Sequence, residues 1–512
     1  MIENVISSIK KILPNTVIVL GGPEVSYGYK EHLEKNADFV VVGEGEATIK
    51  ELIEYFIYSD LKIEGIKGIA YKKNNEIVVN ESRNLLDLDS IPFAYKYGFE
   101  DLENRIIYYE TSRGCPFNCQ YCLSSKDEKL RFLSLNRVQE ELKIFLDENV
   151  KQVKFVDRTF NCNKVHAITI WKFLIENDNG KTNFHFEISA DLLTNEMIEL
   201  LKTARSGLFQ FEVGIQSTNT DTLKSIKRKT DLEKLFKRLN SIEKNINKHV
   251  DLIVGLPNES YESFKTSFNM VYNLNPNQLQ IGFLKLLKGS GLRKDAEKYG
   301  IVYKEDAPYE VLYTNDISFE EIQNLKFLED AVEIFYNSNK FDSTIKFVLE
   351  HYETPFDFYK NLAKYWEKNN YHHLSHSKMA LYEIMRAFLL DEVPDKINEI
   401  DSFLKFDMYL NDNVKNLPSW AKKEQCNKTK EKIKAFYHKE ENKNVYFSDL
   451  SKYTPQQLSR ICHIESFDYN IIKWLDNGGF VEKNTTYVLF KYAIKGESNF
   501  SFFQIYSLQG DE

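Results

Sequence analysis

The chain has 512 residues, too many for one hydrophobic core, so two or three domains are expected. Hydrophobic residues at 42% and charged residues at 28% describe a globular protein and exclude a disordered one. Lys+Arg of 67 against Asp+Glu of 76 gives a net charge of −9, and with no long basic run this argues against a nucleic-acid partner.

The sequence opens without a basic n-region or apolar h-region, and its apolar runs are strand length. Neither a signal peptide nor a membrane span is expected, and a cytoplasmic protein follows. Ile2, Val5, Ile6, Ile9 and Ile12 recur at helical spacing over 2–13. Residues 16–20 read as a buried strand ending in Gly21-Gly22-Pro23. Residues 38–42 read as a second, ending in Gly43-Glu44-Gly45-Glu46, with a helix over 47–58. Continuous apolar strands separated by helices predict a parallel sheet covered on both faces. Residues 63–80 read as a small hairpin turning at Asn74-Asn75, and 85–104 as a linker containing Ile91-Pro92.

From 105 to 300 the alternation is regular. Strands are expected at 106–111, 153–159, 184–189, 208–215, 250–255 and 279–286. Helices are expected at 134–149, 164–176, 194–204, 231–244 and 260–273. Six strand–helix units predict a partial (β/α)6 barrel of TIM type, with function at the C-terminal strand ends. From 301 to 512 helical patterns dominate, as at 319–335 and 379–390. The end mixes a helix near 467–476 with strands near 485–493 and 499–507. The predicted fold class is α/β: a partial Rossmann-like unit over 1–84, a linker over 85–104, a barrel over 105–300 and a mostly α domain of unknown role over 301–512.

Of six cysteines, three fall within eight positions, in Thr111-Ser-Arg-Gly-Cys115-Pro-Phe-Asn-Cys119-Gln-Tyr-Cys122, just after the first barrel strand. In a reducing compartment such crowding points to a metal or to catalysis. Spacings of four and three fit three corners of one cubane cluster and leave the fourth iron open. A structural zinc would want a second Cys or His pair close by. Cys162 and His166 stand about 40 residues on, and Cys162 reaches the site only by folding back.

Cys-x3-Cys-x2-Cys with an aromatic residue before the last cysteine resembles the signature of the radical S-adenosylmethionine (radical SAM) superfamily. The resemblance implies a [4Fe–4S] cluster on Cys115, Cys119 and Cys122, whose fourth iron is chelated by the amine and carboxylate of S-adenosylmethionine. Electron transfer from the reduced cluster then cleaves the sulfonium and releases a 5′-deoxyadenosyl radical. The resemblance also places Tyr121 against the adenine. Later segments resemble the family in order: Phe184-His-Phe-Glu187, Phe211-Glu-Val-Gly214-Ile-Gln216, Lys227-Arg228 and Asp251-Leu-Ile-Val-Gly255-Leu-Pro257. In related enzymes the corresponding Glu, Gln, Arg and Asp contact the amino-acid and ribose parts of the cofactor. Glu187, Gln216, Arg228 and Asp251 are therefore expected to bind it. Arg228 suits a carboxylate bidentately, and Glu187 or Asp251 accepts from ammonium or hydroxyl groups. Read alone, each is equally a salt bridge or a strand cap. Asp157-Arg158 stands where many members have Gly-Gly-Glu, which leaves the methionine contact there open.

Gly21-Gly22 after an apolar strand, followed by Gly43-Glu-Gly-Glu46, resembles the second half of the cobalamin-binding domain that precedes many radical SAM enzymes. Glycines at a strand end let a backbone approach a nucleotide tail. Such domains often carry Asp-x-His-x-x-Gly, whose histidine replaces the lower cobalt ligand; no histidine here has that setting. The domain's first strand–helix units are expected to be missing, and cobalamin is left open as a further cofactor.

The expected function is an enzyme that reductively cleaves S-adenosylmethionine, followed by hydrogen abstraction or by methyl transfer through cobalamin. The resemblance implies a small-molecule or peptide substrate and an electron donor such as flavodoxin or ferredoxin. The alternative is a non-catalytic iron–sulfur protein that senses redox state or scaffolds a complex. His372, His373 and His376 read as packed or surface histidines, and Cys426 and Cys462 as free core thiols.

Overall fold

The computed structural model describes residues 2–58, 61–96, 102–126, 129–422, 427–492 and 501–505. The chain divides into two compact units, Met1–Gln323 and Asn324–Glu512. Residues 97–101 of the expected linker, Cys426 and most of the last two expected strand ends lie outside the described residues.

The first unit opens with α1 (Ile2–Ile12), β1 (Val19–Leu20), α2 (Pro23–Glu34), β2 (Phe39–Val41) and α3 (Glu46–Tyr58). The hairpin follows as β3 (Ile69–Lys73) and β4 (Glu76–Val79), turning on Asn74 and Asn75 at φ 50° and 70°. Positive φ at both central residues is what a two-residue hairpin of right-handed twist requires. The parallel pairing expected of the two apolar strands is present. β1 and β2 are parallel, but the hairpin completes the same sheet antiparallel, in the order β1-β2-β3-β4. Both faces are covered as expected. Leu33 of α2 packs with Val40 and Ala70, and Leu52 of α3 packs with Ile69 and Tyr71 on the other side.

The barrel begins with β5 (Ile106–Tyr109), the short pair β6 (Ser112–Arg113) and β7 (Arg131–Phe132), then α4 (Leu135–Asp147) and β8 (Gln152–Phe155). It continues through α5 (Lys164–Glu176), β9 (Asn183–Glu187), α6 (Asn195–Lys202) and β10 (Phe209–Gln216). After α7 (Thr220–Ser225) and α8 (Leu232–Ser241) come β11 (Asn247–Val254), α9 (Tyr261–Tyr272) and β12 (Gln278–Phe283). The six long strands lie in the sequential order β5-β8-β9-β10-β11-β12, and every neighbouring pair is parallel. β10 shows why this sequence builds that layer. Phe209, Phe211, Val213 and Ile215 are buried on the helix side, while Gln210, Glu212, Gly214 and Gln216 alternate onto the inner face. Trp171 of α5 seals the outer layer, its ring 5.4 Å from Phe211 and 6.2 Å from Phe186. Burial of rings this size contributes about 2–3 kcal/mol each.

Five of the six barrel strands stop one to four residues sooner than expected, and two of these ends have a visible cause. β5 ends at Tyr109 and β8 at Phe155 because Thr111 and Asp157, beyond them, leave the ladder and bond to each other through the Asp157 side chain.

The second unit is mostly helical, with Pro355–Lys368, Lys378–Glu392 and Ile397–Asn411 as its longest helices. It ends in a three-stranded antiparallel sheet of Cys462–Tyr469, Lys483–Lys491 and Ser501–Ile505. The helix expected near 467–476 is corrected to Ile471–Asn477, because Asn470 caps it by accepting from the Lys473 amide at 3.1 Å. The residues before that cap belong to the first strand. Cys462 is buried, as read. His376 contacts the Tyr371 carbonyl at 2.8 Å and His372 packs near Phe327; the His373 side chain lies outside the described residues.

Candidate functional site

The site forms where β5 hands over to the cysteine loop. Asp157 accepts from the Thr111 amide at 2.9 Å, the Thr111 hydroxyl at 2.6 Å and the Ser112 hydroxyl at 2.5 Å, and is fully buried. Burial pushes its carboxyl up to about 6 against these three donors. Asp157 is thus a strut for the loop, and Arg158, its neighbour, faces the cavity. Gly114 follows at φ 100°, where a Cβ would lie 2.7 Å from the Lys129 carbonyl oxygen, so only glycine passes.

Cys115, Cys119 and Cys122 then line one cavity of about 210 Å³, together with Phe117, Tyr121, Arg158, Glu187, Glu212, Gln216, Arg228 and Asp251. Every residue expected to bind cluster or cofactor in the barrel is therefore at one place, contributed by the cysteine loop and by the ends of β9, β10 and β11. The three thiols are not in disulfides. Among the described residues no three His, Cys, Asp or Glu side chains converge on a single ion. Thiols that each take a separate corner of a cubane have no need to. Cys162 does fold back towards Cys115: burial, and then the Cys115 charge, push its thiol up to about 11, and it does not line the cavity.

Arg228 organises one wall. Its guanidinium donates to the Gly214 carbonyl, to the Tyr121 hydroxyl at 3.2 Å and to Cys119 Sγ at 3.7 Å. The bidentate grip expected of Arg228 is thus taken up by the protein, and Nε is the donor left over. Gly214 leaves room beside it for the end of the Gln216 side chain, which a Cβ there would displace. A register shift between Gly214 and Gln216 turns that amide into the cavity.

Three carboxyl groups line the inner face. Glu187 and Glu212 are cross-strand partners, and Asp251 stands beside Gly214, two positions further along. Burial pushes Glu187 up to about 7. Burial, and then the charges of Glu212 and Glu187, raise Asp251. Glu212 goes the other way, held low by His185, whose Nε2 lies 3.0 Å from its carboxylate. Glu212 and Arg158 were not among the expected ligands. The signal for Glu212 was present, since it shares the period-2 face of Gly214 and Gln216.

Three buried polar atoms on this lining have no protein partner: Gln216 Oε1, Arg228 Nε and Asp251 Oδ1. Such atoms cost about 1–3 kcal/mol each when unmet. One donor and two acceptors beside three thiols complement a ligand that carries a carboxylate, an ammonium group and hydroxyls. The residues present therefore fit both a cluster and S-adenosylmethionine.

Gly21 and Gly22 do not line this cavity; they end β1, as Gly43 ends β2. A Cβ on Gly22 or Gly43 would meet nothing within 4 Å, and Ser26 ties the two ends, donating to the Gly22 carbonyl at 2.8 Å and accepting from the Gly43 amide at 3.3 Å. The adjoining Gly-Glu-Gly-Glu turn reaches the cysteine loop. Glu44 pairs with Arg131 and, at 3.3 Å, with Arg113; Glu46 pairs with Arg113 at 2.8 Å. Arg113 also holds Glu110 at 2.8 Å and stands two residues before Cys115.

Three family models match in chain order: B12 binding domain over 1–53, Radical SAM superfamily over 109–271, and a protein of unknown function (DUF4080) over 297–490. The chain is 28% identical over 280 residues to an uncharacterized methyltransferase of Pyrococcus horikoshii, covering 52% of this chain and 60% of that one. It is 26% identical over 319 residues to the cobalamin-dependent radical SAM methyltransferase TokK of Streptomyces tokunonensis, covering 57% of this chain and 46% of that one. The chain thus spans about half the length of these relatives. Among solved structures, the cobalamin-dependent S-adenosylmethionine radical enzyme OxsB, with aqua-cobalamin and S-adenosylmethionine bound, has the same fold at a TM-score of 0.51. Identity there is 17%, covering 79% of this chain and 68% of that one.

Proposed function

Because the chain belongs to the radical SAM superfamily through residues 109–271, we propose that it is an enzyme that reductively cleaves S-adenosylmethionine at the cavity lined by Cys115, Cys119 and Cys122. The observation that carries this reading is the convergence of three thiols with the unpartnered atoms of Gln216, Arg228 and Asp251 in one cavity. When bound, a [4Fe–4S] cluster and S-adenosylmethionine supply one-electron cleavage of the sulfonium to a 5′-deoxyadenosyl radical.

The chain's own residues bind and orient. Cys115, Cys119 and Cys122 are the cluster ligands, and the Asp157 strut fixes where their loop starts. Arg228 places positive charge beside Cys119 and favours its thiolate, against the burial that raises this thiol. Arg228 Nε donates to the cofactor carboxylate, and Gln216 and Asp251 accept from its ammonium or ribose hydroxyls. Glu187 faces Arg158, which lowers it against burial, so the cavity carries paired charges around a zwitterionic ligand. Tyr121, half-buried between the last two cysteines, packs on the adenine while its hydroxyl accepts from Arg228.

The match of residues 1–53 and the methyltransferase relatives favour methyl transfer through cobalamin on a small-molecule or peptide substrate, with Gly21 and Gly22 admitting the nucleotide tail. The test is anaerobic reconstitution with iron and sulfide, then dithionite and S-adenosylmethionine. Formation of 5′-deoxyadenosine is expected. A cluster that forms without yielding it would leave the non-catalytic redox-sensing or scaffold reading instead. For cobalamin, a corrinoid absorption band should survive gel filtration; a colourless chain removes the methyl-transfer branch.

A further inference from the structure

Below the three carboxyl groups, towards the N-terminal ends of the strands, the inner face of the barrel carries a second polar layer that does not line the cavity. The strand registers assemble it: His185 lies beside Lys154 of β8 and Gln210 of β10, and His249 of β11 lies beside Glu212. These side chains reach inward because Phe184, Phe186, Phe209 and Phe211 take the alternate positions on the helix side. His185 is 7% exposed, and its ring centre stands 6.0 Å from that of His249.

The two histidines are not equivalent. Gln210 Nε2 donates to His249 Nδ1 at 3.2 Å, and burial, then the charge of His185, pushes His249 down to about 4, so that ring stays neutral. His185 instead sets its Nε2 3.0 Å from the Glu212 carboxylate. Glu212 is in turn the odd one of the three carboxyl groups. Glu187 and Asp251 are raised, while Glu212 is lowered, first by the His185 contact. The other charged groups around this set are Lys154 and His249 beside Glu212, Arg158 beside Glu187 and Arg228 beside Asp251. Asp251 hydrogen-bonds to Glu212, so the two carboxyl groups hold one proton, and Asp251 carries it.

We propose that His185 is a positioning residue: from below the cavity, without touching the ligand, its ring keeps Glu212 ionised, and Glu212 receives the cationic end of the bound cofactor. The inference rests on the reading of the cavity as an S-adenosylmethionine site. Asp251 donates its proton to Glu212 and leaves Oδ1 as a neutral acceptor for a hydroxyl. Without the His185 ring, Glu212 would follow its two neighbours, because burial and like charges on one face favour the neutral acid. The cofactor would then have to displace a proton before it could bind.

The experiment compares the full reconstituted chain with its His185→Phe and His185→Gln variants. S-adenosylmethionine is the probe, in equilibrium dialysis without reductant, so that binding is read and cleavage is not. At about pH 6.5 the affinity of His185→Phe should fall about tenfold relative to the parent, and the gap should close towards about pH 9, where Glu212 ionises unaided. Glu187 and the cofactor's own amine titrate alike against both chains and cancel in the ratio. Calorimetry in two buffers of different ionisation heat should show a proton released on binding to His185→Phe at neutral pH that the parent does not release. His185→Gln, which can donate to Glu212 but carries no charge, should fall between the two. A ratio that is the same at every pH overturns the proposal. So does a variant with a lowered urea midpoint and the parent's affinity profile, which would make the ring a packing residue. A parent chain that forms its cluster but binds no S-adenosylmethionine would sink the proposed function and this inference together, whereas a flat ratio sinks the inference alone.

Discussion

Thr111 gives both its amide and its hydroxyl to one carboxylate, that of Asp157, at 2.9 and 2.6 Å. The pair joins the ends of the first two barrel strands and sets where the cysteine loop departs. Asp157→Ala removes the shared acceptor of the Thr111 amide and the Thr111 and Ser112 hydroxyls, of which only the Thr111 hydroxyl keeps another partner, His166 Nε2 at 3.0 Å, so a loss of about 3 kcal/mol is expected. Urea unfolding of the metal-free chain measures it, and iron bound per chain after reconstitution should fall in parallel. An unchanged urea midpoint with full iron would remove the strut from the account.

Glu44 joins the N-terminal glutamate turn to Arg113 and Arg131, all at least three-quarters buried. Glu44→Gln keeps the shape and removes the charge. A loss of about 1–2 kcal/mol follows for a partly buried ion-pair network, with faster proteolysis in the segment before Cys115. If the cleavage pattern there matches the parent chain, the turn does not brace the loop.

Glu187 titrates near 7 because it is buried. A ligand with cationic groups is better held by the carboxylate than by the acid, so S-adenosylmethionine affinity should rise as pH climbs through 7. The Glu187→Gln chain should bind with a flatter profile. An identical rise in both chains would assign that pH dependence to some other group.

In the second unit, burial raises Glu465, yet the His463 contact at 3.2 Å and the Lys405 charge at 3.0 Å bring it down to about 2. A depressed carboxyl stabilises above its unfolded value and loses that contribution as pH falls through its folded one. Between pH 4.5 and 2 this unit should lose about 3 kcal/mol. Glu465→Gln should remove most of that slope in acid titrations followed by circular dichroism.

The barrel was legible because its strands carry continuous or alternating apolar patterns, and β10 alone displays both faces of the layer. The five barrel residues expected to bind the cofactor, read from the cysteine motif and from the order of the later segments, all line the cavity. What local pattern could not show is pairing across distance. The early end of β5 depends on a carboxylate 46 residues away. Glu44 gains its partners from Arg131, 87 residues on. The hairpin at 69–79 was visible, but whether it joined the parallel strands was not, because antiparallel addition to an edge leaves no mark on the strand being joined. The Asn470 cap, by contrast, was readable and would have placed the start of the late helix correctly.

The proposed function stands on three thiols that hold a cluster with one iron open to S-adenosylmethionine. The electron paramagnetic resonance spectrum of the dithionite-reduced, reconstituted chain tests it most directly. A clear change in that spectrum is expected when S-adenosylmethionine is added, and no cluster signal when Cys115, Cys119 and Cys122 are replaced by alanine. A spectrum identical with and without S-adenosylmethionine, or a cluster that survives the triple replacement, would contradict it.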